Sequence, residues 1–403
     1  MTRECAEGFR WLPHRRCPAP GPYNWHSRNA ASPRNVAERA GSQADACLTP
    51  SPRRKCPLTH VMGCPPAMPA PSLPGLATPA RRLAILVALT AAALLALGAA
   101  LAVGSIDVDA TAIFRALAGN TSETASAIVR ELRLPRALAA FAVGALLALA
   151  GALMQVLLRN PLADPYILGI SGGAAVGALG AMLAGAASVV TLAALGGALG
   201  STLLVFGLAR TGLDRAPWTT TRLLLTGVVV AAGWGALIAL MLTMAPDAQV
   251  KGMLFWLIGD LGGTTLATPA LIVLAVALAG SLAFARDLNV LARGEHVAAA
   301  LGVAVARTTF ALSALAALAT AAAVTTAGSV GFVGLVVPHA LRLVIGNDQR
   351  VLLPACVLAG GTLLVVADTV ARTVVAPVQL PVGVITALVG VPVFLALLSR
   401  GRA

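Results

Sequence analysis

Apolar residues in this chain neither alternate nor keep to one helical face. They come in long unbroken runs separated by short polar breaks. Ten runs follow one another, over about residues 83–104, 137–158, 166–185, 188–209, 223–244, 266–286, 308–327, 331–345, 352–374 and 381–399. A helix rises 1.5 Å per residue, so a run of about 20 residues crosses the hydrocarbon of a bilayer. The pattern predicts an all-α membrane protein with about ten transmembrane helices. The eighth run is short for a crossing, which implies a tilt or a break.

The stretch Arg133–Gly173, RLPRALAAFAVGALLALAGALMQVLLRNPLADPYILGISGG, organises the rest. Arg133 and Arg136 open an apolar run, and the polar turn Arg159–Pro165 separates it from the next. Pro161 and Pro165 are expected to stop the first helix and restart the second. The stretch is rich in Gly and Ala, so the two helices of this hairpin can pack backbone to backbone.

The polar segments set the orientation. With the N-terminus inside, the cytoplasmic segments from Arg81 onward hold thirteen Arg, counting Arg286 and Arg342 at the inner ends of their runs, against five acids, and the external ones four Arg and one Lys against six acids. By the positive-inside rule this predicts both termini in the cytoplasm, and an even number of spans agrees. Residues 105–132 are then external, with a short helix near Asp109–Ala118. Residues 245–265 form a second external segment, in which Trp256 reads as an interface anchor beside Phe255. Residues 287–306 form the longest cytoplasmic loop among the spans, expected as two short helices broken at Gly294 or Gly302.

Composition narrows the function. The chain is 58% hydrophobic and 11% charged, where a soluble domain carries about 25% charge. The net charge of +13 does not point to nucleic acid, because aromatics make up only 4% and no basic stripe exists. Lys55 and Lys251 are the two lysines, and neither follows a glycine-rich phosphate loop. If ATP drives this protein, another chain must bind it. Five of six cysteines lie in the first 64 residues without a C-x-x-C pair, and Cys356 reads as a packing residue. No metal or other cofactor is expected. Residues 1–80 are rich in Pro and Arg and lack apolar periodicity, which reads as a disordered tail ahead of a transmembrane domain over 81–403. Either the tail has a function or the true start lies downstream, at Met62 or Met68.

Several residues carry candidate chemistry. Arg133, Arg136 and Arg372 lie at the outer ends of spans, against the charge bias, and snorkelling would explain them. Asp368 and Arg372 are four apart on one helix face, as an internal ion pair would be. His339 stands without a second metal-ligand residue nearby in sequence, so packing or a backbone hydrogen bond explains it best. His296 reads as a solvated loop residue.

RLPR, GALMQ and RNPLADPYILGISGG, followed by GSVGFVGLVVPHALRL (328–343), NDQRVLLPA (347–355), ADTVAR (367–372) and LPVGVITALVGVPVF (380–394), resemble the FecCD family of ABC-importer permeases over roughly residues 80–403. That resemblance implies a type II importer fold like that of the vitamin B12 permease. It implies a homodimer, or a heterodimer with a paralogous permease, in the bacterial cytoplasmic membrane. ABC ATPase subunits would dock inside and an extracytoplasmic substrate-binding protein outside. The family's matching positions make Arg133, Arg136 and Arg372 docking residues for the binding protein. They make Asn160, Leu162, Thr220 and Thr221 a cytoplasmic gate, where a plain loop with a helix N-cap would use the same residues. They make Arg293, Gly294, Glu295, Ala298, Leu301 and Gly302 the element coupled to the ATPase, where the residues alone read as a solvated loop. Ala298 and Leu301 are expected to supply its apolar contact face.

The resemblance implies transport without covalent chemistry, so the chain is not expected to be an enzyme. A ferric siderophore is the expected cargo, with cobalamin and haem as alternatives. A secondary transporter driven by an ion gradient is the competing class. It needs buried carboxylates near the midplane, and Asp368 is the only acid inside a run.

Overall fold

The computed structural model describes residues 79–104, 108–119, 124–210, 220–264, 266–376 and 378–400. The expectations for residues 1–78 lie outside them. The described residues are helical, without strands. α1 is Pro79–Ala102, α2 Ala110–Leu117, α3 Thr124–Ile128, α4 Leu134–Leu157, α5 Ile170–Leu183, α6 Val190–Arg210, α7 Thr220–Met244 and α8 Asp247–Ile258. α9 is Thr268–Ala283, α10 Ala285–Leu291, α11 Glu295–Ala300, α12 Val305–Ala327, α13 Val333–Ile345, α14 Gln349–Thr373 and α15 Val382–Arg400.

Ten of these helices fall on the ten apolar runs. Among the described residues, six apolar helical stretches are long enough to cross a membrane, containing α1, α4, α6, α7, α12 and α14. α9 qualifies together with α10, which turns away from it by 61°. α5, α13 and α15 contribute shorter apolar stretches. Start signals are local: Pro135 and Pro269 sit in the first turns of α4 and α9, where a missing N–H costs nothing. Asp348 caps α14 by accepting the Arg350 N–H.

α4 is the centre. It is buried nearly all round, from Ala137 to Leu157, while α1 and α7 expose much of their surface. Small residues allow this. A Cβ at Gly144 would strike the Gly360 carbonyl of α14, and one at Gly151 the Gly334 carbonyl of α13. Where lipid tails are as apolar as leucine, such close backbone approach replaces the hydrophobic effect as the packing force.

Two runs open on irregular backbone inside the protein. After α4 the chain turns through Arg159 at φ 48°, and a 3-10 turn, Pro165–Leu168, ends at Gly169 at φ 68° before α5 begins. The 13 residues of α13 span only about 20 Å. Its start is deep in the protein, since a Cβ at Gly334 would touch the Leu147 carbonyl of mid-α4 and the ring of Pro165. The irregular backbone before α13 therefore needs internal partners, because lipid offers none. The Tyr166 hydroxyl supplies them, donating to the Val330 carbonyl at 2.9 Å and accepting the Val330 N–H at 3.0 Å. The two breaks in the helical pattern thus meet each other.

Candidate functional site

Polar side chains gather at the two ends of the helix bundle. At the far end, where α1 finishes, Arg133 closes a π-helical turn, Val129–Arg133, that leads into α4. Its Nη1 donates to the carbonyls of Leu101 (2.8 Å) and Ala102 (2.9 Å). These lie in the last turn of α1, where carbonyls have no partner of their own and the helix dipole favours a cation. Arg136 grips Asp368 through Nε at 3.1 Å and Nη2 at 2.8 Å, and its Nη1 donates to Gln379 Oε1 at 2.8 Å. Arg372 brings Nε to 3.2 Å from Asp368 Oδ2 and donates from Nη2 to the Ala100 carbonyl at 3.4 Å. Asp368 is buried. All three arginines singled out in the sequence are therefore turned into the protein, on α1 and α14. The Arg136–Gln379 bond is the contact of this set that lies at the exposed surface.

At the near end, where α1 begins, Asn160 Oδ1 accepts the Leu162 N–H at 2.9 Å, which shapes the turn after α4 and leaves both residues exposed. Asp164 accepts the Tyr166 N–H at 2.8 Å. Burial pushes its carboxyl above the usual range, against the pull of that hydrogen bond. Thr220 and Thr221 open α7, and their side chains lie outside the described residues, as do residues 211–219.

The segment after α9 has the two expected helices, and both glycines break it. Gly294 takes φ 121° and Gly302 φ 81°, conformations that a side chain resists. Arg293 is exposed, and Glu295 lies 3.4 Å from Arg159 of the turn after α4. Ala298, expected on the apolar contact face, is fully buried. Val297 takes its place: it is 43% exposed and Leu301 62%. Positions i and i+4 share a helix face, whereas Ala298 sits one step round, toward the protein. Asn289 of α10 is bonded to the start of α14, donating to Asp348 Oδ1 at 3.1 Å and accepting the Gln349 N–H at 2.9 Å. Arg82 of α1 completes this cluster, 2.8 Å from Asp348 Oδ2.

The FecCD transport family model matches residues 89–400. This chain belongs to the FecCD transport family. It is 47% identical over 280 residues to the cobalamin import permease BtuC of Halobacterium salinarum, covering 68% of this chain and 74% of that one. It is 40% identical over 315 residues to the hemin permease HmuU of Yersinia pestis, covering 75% and 92%. A solved metal-chelate type ABC transporter in an inward-facing conformation superposes with a TM-score of 0.70 at 28% identity, over 79% of this chain and 99% of that one. The FecCD chain is thus a membrane permease of a type II ABC importer, and its fold matches that of the solved transporter.

Several residues of this FecCD permease escaped the sequence reading. Gln379 and Asn289 are isolated polar residues whose partners lie far away along the chain. Tyr166 is one of two tyrosines in the sequence, a rarity that could have marked it. Trp256, expected as an interface anchor, is half-buried and lines a groove of about 1060 Å³ with Phe255, Lys251 and Asp260. His339 packs edge-on to Phe394, with ring centroids 6.4 Å apart.

Proposed function

We propose that this permease imports a metal held in a large organic chelate, and that ATP hydrolysed by a separate partner chain drives it through the α10–α11 segment. The observation that supports this most is the shape of that segment. α10 bends away from α9, and the helix after it offers Val297 and Leu301 as exposed apolar side chains beside the charged Arg293. A few such residues carry most of the energy of a protein contact. In this reading the near end is cytoplasmic, both termini are inside, and two copies or two paralogues share a central path. Asn160 and Leu162 line its inner gate with Thr220 and Thr221. The binding protein meets the far end around the exposed Arg136–Gln379 contact, and Arg133, Arg136 and Arg372 hold the helix ends behind it.

For the cargo, sequence resemblance put a ferric siderophore first. Relatives named for cobalamin and hemin shift the emphasis to tetrapyrrole chelates, and we rank cobalamin first. Asp368 does not favour the ion-coupled alternative, because its carboxylate is taken up by Arg136 and Arg372. The test is uptake of labelled cobalamin, hemin and a ferric siderophore by cells whose own permeases of this type are deleted. ATPase-dependent accumulation of cobalamin is expected. Accumulation of hemin or siderophore alone would overturn the ranking, and transport of none of the three would overturn the cargo class.

A further inference from the structure

Two polar clusters stand at opposite ends of the same pair of helices. α1 and α14 pack side by side and run in the same direction, since Arg82 near the start of one meets Asp348 at the start of the other. At their other ends the Ala100 carbonyl meets Arg372. α14 has 25 residues and is about 37 Å long. Its Asp348 end is bonded to α10 through Asn289, and its Asp368 end is bonded to Arg136 at the start of α4. The pair is therefore pinned at both ends and engaged at one end by the segment proposed to receive the ATPase.

We infer that Asn289 is the positioning residue that keys the α10–α11 segment to the α1–α14 pair, so that displacement of that segment moves the pair as one body and reaches the far-end arginine cluster. Asn289 suits this role because its amide does two things at once. Nδ2 donates to the Asp348 carboxylate, while Oδ1 accepts the Gln349 N–H, one of the free donors at the start of α14. Neither Asp nor Leu could do both. Coupling between distant sites is carried by rigid elements that both sites can bias, and a helix pair held at both ends can carry a displacement from one end to the other. The inference rests on the importer reading above, so the parent's ATP-dependent uptake serves as the control that separates the two.

Three variants are reconstituted with the partner ATPase and binding protein: Asn289→Ala, Asn289→Asp, and Asn289→Asp combined with Asp348→Asn. In Asn289→Asp two carboxylates face each other and the donor to Asp348 is lost. In the exchange, the amide at 348 can donate to the carboxylate at 289, which still accepts the Gln349 N–H. We expect Asn289→Asp to import roughly tenfold less chelate per ATP hydrolysed, the scale of such couplings. The ATPase should still co-purify and basal hydrolysis should persist, and the exchange should restore most of the ratio. Asn289→Ala should fall between the two. A parental ratio in both single variants would overturn the inference. So would loss of ATPase binding together with import, which would make Asn289 a docking contact, or failure of the exchange to restore coupling.

Discussion

The two ends of the α1–α14 pair use the same chemistry in different surroundings. At the far end Asp368 is buried and holds two guanidiniums, Arg136 and Arg372. At the near end Asp348 and Arg82 are partly exposed, and the neighbouring Arg159–Glu295 pair is more open still. Removing one partner of a buried pair leaves uncompensated charge in a poor solvent for it, whereas water compensates at an exposed one. The far end is therefore built to hold helices together. The near end, open to water, costs less to rearrange.

The contrast breaks most visibly at Asp368. Asp368→Ala leaves two guanidiniums facing a buried void, and breaking a buried pair costs about 3–5 kcal/mol. The expected result is a permease that inserts but loses most of its thermal stability in detergent. A melting temperature equal to the parent's would mean that Arg136 and Arg372 find other partners. Next comes Leu301→Asp, which places a charge on the apolar face shared with Val297. An apolar hot spot is worth about 2 kcal/mol or more, so ATPase affinity should fall about thirtyfold with stability unchanged. A pull-down with unaltered recovery would place the ATPase contact elsewhere.

Acid sharpens the comparison further. Burial alone would raise the Asp348 carboxyl, but hydrogen bonds from Asn289 and the Arg350 N–H, with the Arg82 and Arg350 charges, hold it below the ordinary carboxylate range. A depressed folded pKa gives stability that is complete above the unfolded pKa of about 3.9. It is lost as pH falls through the folded value. Asp348→Asn should therefore remove roughly 1 kcal/mol at pH 7 and leave a shallower loss of stability below pH ~4. Parallel acid curves for parent and variant would contradict this. Smallest of all is Arg159→Ala, where an exposed pair at 3.4 Å contributes at most about 0.5 kcal/mol. A stability change of several times that would show the near end to be locked as the far end is.

Much of this was legible in the sequence because a membrane span announces itself by length. All ten runs became helices, and the short eighth run signalled the deep start of α13. The helix near Asp109 and the two-helix form of residues 287–306 followed from their polar punctuation. The 3-10 turn after Pro165 was hidden, since an apolar run does not reveal where hydrogen bonding changes register. Burial inside the bundle was hidden as well. Ala298 and Val297 are neighbours with similar hydropathy, and only packing decides which one faces out. The arginines were visible as anomalies of charge, but Arg136 meets a residue 232 positions away, which no local pattern encodes.

The most direct test of the account is transport itself, with the permease reconstituted in liposomes beside its ATPase and binding protein. Labelled cobalamin should accumulate only when ATP is supplied on the ATPase side. Leu301→Asp should abolish accumulation, and an uncoupler should leave the parent's rate unchanged. Uptake that persists without the ATPase and collapses with the uncoupler would contradict the reading of the α10–α11 segment as the point where ATP hydrolysis enters this protein.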